Sequence, residues 1–330
     1  MILIIASVVH MRKTNKLVSA FIALVIFASC SSASDATSDS TSDSTSTNES
    51  IIEITSDSVV AELPAIAVTY SLIGDIVSQL VGDKAKVKVV VPDGQDPHEF
   101  QPSAKDIEII NNAALVVSNG LEFEEGLEEV LETFADSGGN IFMVGKHITV
   151  RKIEDGDEHG DKHTGGDPHL WLSPATMLEM LPALTTALSE ATGADLSAEA
   201  TAFTTKLQNL DREVESIIDS LDECNLVSGH DEMGYFADHY GCKVIGAIIP
   251  SFTTTSEATA GELAELKELI QQYKVPAIFT GLGTSPDVAD QLASELGVKA
   301  VTLSTHYLEG AANYQEFILK MVNQIAEALG

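Results

Sequence analysis

The sequence predicts an α/β protein of two doubly wound lobes, each with a parallel sheet, joined by a long rigid helix. Three observations carry that prediction. Short apolar strand-like runs alternate with helix-like runs from about residue 64 onward, the pattern of α/β architecture. The alternation falls into two sets, separated by a stretch without strands. In that stretch Phe203, Leu207, Leu210, Val214, Ile217 and Leu221 recur at steps of four and three, a single apolar stripe along one helix.

The first set reads as strand 65–69, helix 72–81, strand 87–91, helix 103–112, strand 114–118, an acidic helix 123–134 and strand 140–144. Its strands have few intervening charges, as expected of a sheet covered on both faces. The segment 151–166, RKIEDGDEHGDKHTGG, breaks the alternation, and its charge and glycine content predict a surface loop. After Pro174 a helix to about residue 191 places Met177, Met180, Leu181, Leu184 and Leu188 on one face. The striped helix follows over 198–221, on the order of 36 Å long at 1.5 Å per residue. The second set is strand 225–228, helix 232–240, strand 243–247, helix 257–273, strand 277–280, helix 286–296, strand 299–303 and a last helix 311–329. Two lobes follow, at 59–197 and 223–330, with the linking helix at 198–222.

The N-terminal segment has a different logic. Arg12, Lys13 and Lys16 precede an apolar run that ends at Cys30, the plan of a secretory signal with a charged n-region and a short h-region. That run is too short for the roughly 20 residues of a spanning helix. Ala28 and Ser29 before Cys30, and serines after it, match a bacterial lipoprotein signal over 1–30, with Cys30 as the lipidation site and translation starting at Met11. Residues 31–58 are Ser, Thr, Asp and Asn with few apolar side chains. Such a stretch cannot bury enough surface to order itself and reads as a tether. The expected location is therefore extracytoplasmic, in a periplasm or at a cell surface, with the membrane held through a lipid. Cys224 and Cys242 open two strand-like runs that a parallel sheet would make neighbours; outside the cytosol they either form a disulfide or remain two buried thiols.

Charge excludes one large class of function. Fifty acidic residues against 18 basic ones give a net charge of −32, whereas nucleic-acid binding needs a basic face. Acidity on this scale fits a solvated surface and favours cations near it.

The chemistry lies in the histidines. Asp-Pro-His occurs twice, at Asp96-Pro97-His98 and Asp167-Pro168-His169, each after a glycine-containing loop and before a Pro-Ser or Ser-Pro helix start. Proline stiffens the backbone at each turn and fixes where the imidazole sits. His230 stands where an apolar strand-like run ends, and the carboxyl ends of strands are where α/β sheets bind ligands. Three such imidazoles suit Zn²⁺, which takes imidazole nitrogen at roughly 2.0–2.1 Å. His159 and His163 in the 151–166 loop, spaced among carboxylates, make an accessory metal-collecting segment.

In DPHEFQPSAKDI, DPHLWLSP and SGHDEMGYFADHYG, and in the order of elements around them, the chain resembles the zinc/manganese solute-binding proteins of bacterial ABC importers from about residue 64 to its end. The resemblance implies that His98 and His169 from the first lobe and His230 from the second coordinate one metal. It also implies a monomeric receptor that hands the ion to a membrane permease. Manganese-selective members commonly carry a carboxylate at the third position, so histidine there, with the His159/His163 loop, turns the expectation toward Zn(II) and away from Mn(II). Members often place an aspartate after the last strand as a fourth ligand. Here Ser304, Thr305 and His306 stand there, so His306 comes first as the substitute, with Glu309 or water as alternatives. Gly281 occupies a place where many members have glutamate. His147 and His239 lack a motif and read as structural.

Two other classes of function compete with this one. A zinc hydrolase needs an open coordination position and a general base, but no His-Glu-x-x-His run occurs and Asp231 and Glu232 are only unplaced carboxylates. A surface adhesin would keep the fold for partner binding. The expectation is a receptor and not an enzyme.

Overall fold

The computed structural model describes residues 62–152 and 165–330, within a compact unit that spans Val59–Gly330. Cys30, His159, His163, the signal and the tether lie outside the described residues.

Four parallel strands make the first sheet, β1 (Ala65–Val68), β2 (Lys86–Val89), β3 (Leu115–Ser118) and β4 (Ile141–Met143), in the order β2-β1-β3-β4. The central strands are apolar and buried, as a sheet covered on both faces demands. β2 departs from the expectation: as KVKV it exposes Lys86 and Lys88 at the sheet edge. Lysines on an edge strand discourage pairing with another chain.

The helices of this half are α1 (Ser71–Val81), α2 (Ala104–Asn111) and α3 (Glu128–Asp136). Ser103 starts α2 through a capping box with Asp106, which satisfies two otherwise unpaired backbone donors. The acidic helix expected from residue 123 begins only at Glu128, after a 3₁₀ turn over Glu125–Leu127. Glu124 explains the delay. Its buried carboxylate accepts from the backbone N–H of Asn119 (2.7 Å) and Gly120 (3.1 Å) and from the Thr69 hydroxyl (2.5 Å), folding the chain back on the end of β3. Phe123 is thereby turned fully into the core.

Two long helices follow, α4 (Pro174–Thr192) and α5 (Ser197–Ile218). The α4 face predicted from sequence is the buried one. Along α5 the buried stripe is Phe203, Leu207, Leu210, Val214 and Ile218; Ile217 and Leu221 are only half-buried, so the stripe shifts to Ile218 and stops short of the expected Leu221. α5 packs on α1, α4 and the later helices α6 (Gly234–Tyr240) and α9 (Tyr314–Leu329). Its apolar side chains belong to one continuous core that also includes residues of β1, β3, β5 and β7.

The second half holds β5 (Asn225–His230) paired in parallel with β6 (Lys243–Ile249), and β7 (Ala277–Thr280) with β8 (Lys299–Thr302), with β5 lying beside β7. Helices α7 (Ala260–Tyr273) and α8 (Pro286–Leu296) complete it. The last helix starts at Tyr314 rather than 311, because the Asn313 side chain caps it by accepting from Glu316 N–H at 2.9 Å. Among the described residues no helix is long and apolar enough to cross a membrane.

Cys224 and Cys242 form a disulfide across the starts of β5 and β6, with Cα atoms 4.7 Å apart. The bridge spans 18 residues of sequence, and constraining a loop of that size in the unfolded chain is worth about 3 kcal/mol. Reduction, or the paired C224S/C242S change, is expected to lower the unfolding free energy by an amount of that order and the denaturant midpoint with it, measured by urea titration with and without reductant. An unchanged midpoint would show that the bridge adds nothing to stability.

Candidate metal centre

Both Asp-Pro-His turns use the same local device. The backbone N–H of the histidine donates to the aspartate two residues earlier, at 3.0 Å for His98 to Asp96 and 2.9 Å for His169 to Asp167. Such a bond closes a turn through the side chain, and the intervening proline removes the remaining freedom. In the second copy Asp167 Oδ1 also lies 2.9 Å from His169 Nδ1, which leaves Nε2 as the outward nitrogen. The turn is anchored from outside. Asn119 Nδ2 donates to the Pro168 carbonyl at 2.9 Å and Tyr235 O–H to the Asp167 carbonyl at 3.0 Å. Arg151 faces Asp167 at 3.4 Å and pairs with Asp238 at 2.8 Å.

His230 is the last residue of β5, so the strand itself aims the ring. His306 follows β8 in the segment that Trp171 holds by donating its indole N–H to the Thr305 carbonyl at 2.6 Å. The rings of His230 and His306 stack at 5.1 Å, and Phe123 and Trp171 wall the group.

One ring nitrogen from each of His98, His169, His230 and His306 falls within 4.8 Å of the others, and all four side chains are buried. His230 Nε2 and His169 Nε2 approach to 3.0 Å. Both nitrogens of His98 and Nε2 of His306 are buried without a hydrogen-bond partner, a cost that a fold ordinarily avoids. Burial drives the His230 imidazole well below its ordinary range, with His306 and His98 adding to the effect. Burial likewise lowers His306 to about 3, opposed by Asp96 and reinforced by His98. These two rings are therefore neutral at neutral pH, the state that coordinates a metal. Four imidazoles at this spacing suit a tetrahedral ion.

Carboxylates face the other edge of these rings. Asp167 takes His169 Nδ1; Glu125 Oε1 lies 3.8 Å from His98 Nδ1 and accepts from the Thr253 hydroxyl at 2.5 Å. Glu232 Oε2 lies 3.9 Å from His230 Nδ1 and 3.6 Å from His306 Nδ1. Burial raises the Glu232 carboxyl to about 8; a hydrogen bond from Thr305 opposes this, and Asp96, Asp231 and Asp167 add to it. Burial also raises Asp167, with Asp231 adding, against the His169 N–H and Arg151. Sequence reading left Glu232 unplaced; its one signal is its position two residues past a strand end that carries a histidine.

Of the two protein alternatives for a fourth position, the structure brings His306 to the group. Glu309 is exposed, with φ 48°, and pairs with Lys320 at 3.1 Å. At Gly281 a Cβ would stand 2.6 Å from the Leu303 carbonyl oxygen, so this backbone has no room for a side chain there. His147 stacks on Phe142 and His239 meets Asp211 at 2.9 Å, both away from the group.

Parallel α/β architecture with a buried set of converging imidazoles defines a metal-binding α/β protein. The chain belongs to the family described as zinc-uptake complex component A, periplasmic, whose model matches residues 66–328. It is similar to the manganese-binding lipoprotein MntA of Halalkalibacterium halodurans, 25% identical over 238 residues, 71% of this chain and 76% of that one. It is also similar to the zinc-binding lipoprotein AdcA of Streptococcus pneumoniae, 29% identical over 252 residues, 72% of this chain. The match spans only 49% of that longer relative. Among solved structures, the periplasmic zinc-binding protein TroA of Treponema pallidum superposes with a TM-score of 0.73 at 25% identity, covering 81% of this chain and 99% of that one.

The carboxyl shift makes a pH prediction for the metal-free protein. Glu232 holds its proton to about pH 8 when folded but releases it near 4.3 when unfolded. Between those values the folded state binds more protons, so stability falls as pH rises. His230 and His306, lowered on folding, act oppositely, but only below about 6.5. Above that pH the carboxyl acts without them. Stability should therefore decline from pH 6.5 to 8 in chemical denaturation, and E232Q should flatten the decline; an equal slope in E232Q would refute the assignment.

Proposed function

We propose that this protein is an extracytoplasmic receptor that captures Zn(II) on His98, His169, His230 and His306 and hands it to the permease of an ABC importer. The observation that carries this reading is the convergence of four buried imidazoles within 4.8 Å. Zinc is the preferred cargo on chemical grounds. Relatives named for zinc and for manganese both occur, but an all-imidazole set suits zinc, whereas manganese favours carboxylate, carbonyl and water oxygens. Four protein nitrogens also fill a tetrahedron and leave no position for the activated water of a zinc hydrolase, which supports binding without turnover.

The division at 59–197, 198–222 and 223–330 is part of the same reading. His98 and His169 precede α5 and His230 and His306 follow it, while α5 packs against helices of both halves. Such a rod limits opening, so release would come from small movements of the loops. The names of two relatives include "lipoprotein", which supports a lipid on Cys30, a tether over 31–58 and a monomer held at the membrane surface. The disulfide fits an oxidising compartment. Asp167 N–H donates to the Arg151 carbonyl at 3.1 Å, so the segment carrying His159 and His163 leaves and returns beside His169. This supports its role in gathering ions for the centre.

Calorimetric titration of the metal-stripped protein tests the reading. One zinc should bind tightly, with manganese weaker. Alanine at His98, His169, His230 or His306 should each weaken zinc by more than the roughly 10- to 100-fold typical of outer-shell losses. Glu309→Ala should leave affinity unchanged. Binding indifferent to the four histidines would refute the proposal.

A further inference from the structure

Glu232 is buried, at 3% exposure, and its Oε2 atom has no hydrogen-bond partner. That oxygen faces Nδ1 of two rings at once, His306 at 3.6 Å and His230 at 3.9 Å. Both distances exceed a hydrogen bond, so a shift of less than an ångström separates the present arrangement from a bonded one. Thr305 joins the pair by a second route. Its hydroxyl lies 2.9 Å from His306 Nδ1 and also hydrogen-bonds Glu232, so it can accept from the ring and donate to the carboxylate. The remaining two rings have other carboxylates at Nδ1, Asp167 and Glu125.

We infer that Glu232 is the positioning residue of the centre: it takes the Nδ1–H of His230 and His306 and thereby directs both Nε2 atoms at the cation. The inference rests on the metal-receptor reading and adds to it a residue that touches no metal. The physical need is specific to this donor set. Four neutral imidazoles leave both positive charges of a dication uncompensated in a buried site, and burying a charge is costly unless it is paired. A carboxylate on the far side of a ligating imidazole supplies that charge, fixes the tautomer and makes the ring a better donor. His230 and His306 are 76 residues apart in the chain, and Glu232 reaches both because it follows His230 immediately past the end of β5 while β8 delivers Thr305 and His306 beside it.

The test compares wild type, E232Q and E232D as metal-stripped full-length chains. Zinc affinity is measured by competition with a chromogenic chelator, and the histidine ring nitrogens of the zinc-loaded proteins by long-range proton–nitrogen NMR. E232Q keeps the shape but cannot become the carboxylate that a bound dication would draw out. It should bind one zinc 10- to 100-fold more weakly, the typical loss for an outer-shell partner. Only the His230 and His306 ring signals should shift; those of His98 and His169 should stay. E232D keeps the carboxyl on a shorter arm and should recover part of the affinity. If E232Q fails to fold by circular dichroism, E232D carries the test alone, with a smaller loss and the same two rings displaced. Wild-type zinc binding matched within about twofold by a folded variant, with all ring signals unmoved, overturns the inference and leaves the receptor reading intact. Wild type that binds no zinc overturns both.

Discussion

Four imidazoles with their ring nitrogens within 4.8 Å, sealed from water, are the constraint around which the molecule is arranged. Unpartnered nitrogens in a dry site cost stability, and around this group many buried polar atoms are paired, although the hydroxyls of Ser71, Ser118, Thr254 and Thr284 are not. Glu124 satisfies two backbone donors and a hydroxyl, and Asn119 links Tyr70 to Pro168. At the histidines the pairing also stops: both nitrogens of His98 and one of His306 lack partners. Departures of this kind concentrate where function requires them. A cation at the meeting point of the rings would take one nitrogen of His98 and Nε2 of His306, leaving the other His98 nitrogen to a neighbour.

Holding such a group in place takes more than local turns, because its members come from four separate stretches of chain. The cross-links are specific. Trp171, just before the Ser173 cap of α4, donates to the Thr305 carbonyl, and Tyr314 at the start of α9 donates to the Trp171 carbonyl at 2.7 Å. Thr253, after β6, donates to Glu125, which faces His98. These bonds tie segments before α5 to segments after it, over a core continuous through that helix. The site is thus held by protein–protein contacts of its own, which lowers the ordering cost of binding.

The parts legible in the sequence were those that local chemistry determines. Each Asp-Pro-His turn closes on its own aspartate, so His98 and His169 could be recognised from three residues, and His230 from the strand it ends. His306 lacks such a signal: its place after the last strand points to it only through the resemblance, with Glu309 or water as alternatives, and in the fold Glu309 turns toward Lys320. Glu232 has only its place two residues past His230 to mark it in the sequence, since its significance depends on Thr305 and His306, brought alongside by β5 and β7 lying side by side with β8 next to β7. The same division applies to the fold. Periodicity located the buried face of α4, but it missed the end of the α5 stripe at Ile218 and the delayed start of α3. In both places a tertiary demand, packing or the Glu124 bonds, overrode the local pattern.

A net charge of −32 bears on selectivity as well as on exclusion. An acidic surface raises the local concentration of every divalent cation, and that long-range attraction does not distinguish zinc from manganese, magnesium or calcium. The more strongly the surface collects ions, the more completely discrimination must fall to the centre. Carboxylate ligands would discriminate poorly there, since they also suit the abundant hard cations. Imidazoles exclude those cations by donor type, but they contribute no charge. Setting carboxylates behind the rings, with Asp167, Glu125 and Glu232 on the Nδ1 side, would separate the two tasks under the proposed receptor reading: nitrogen would select the ion, and oxygen that does not touch it would offset its charge.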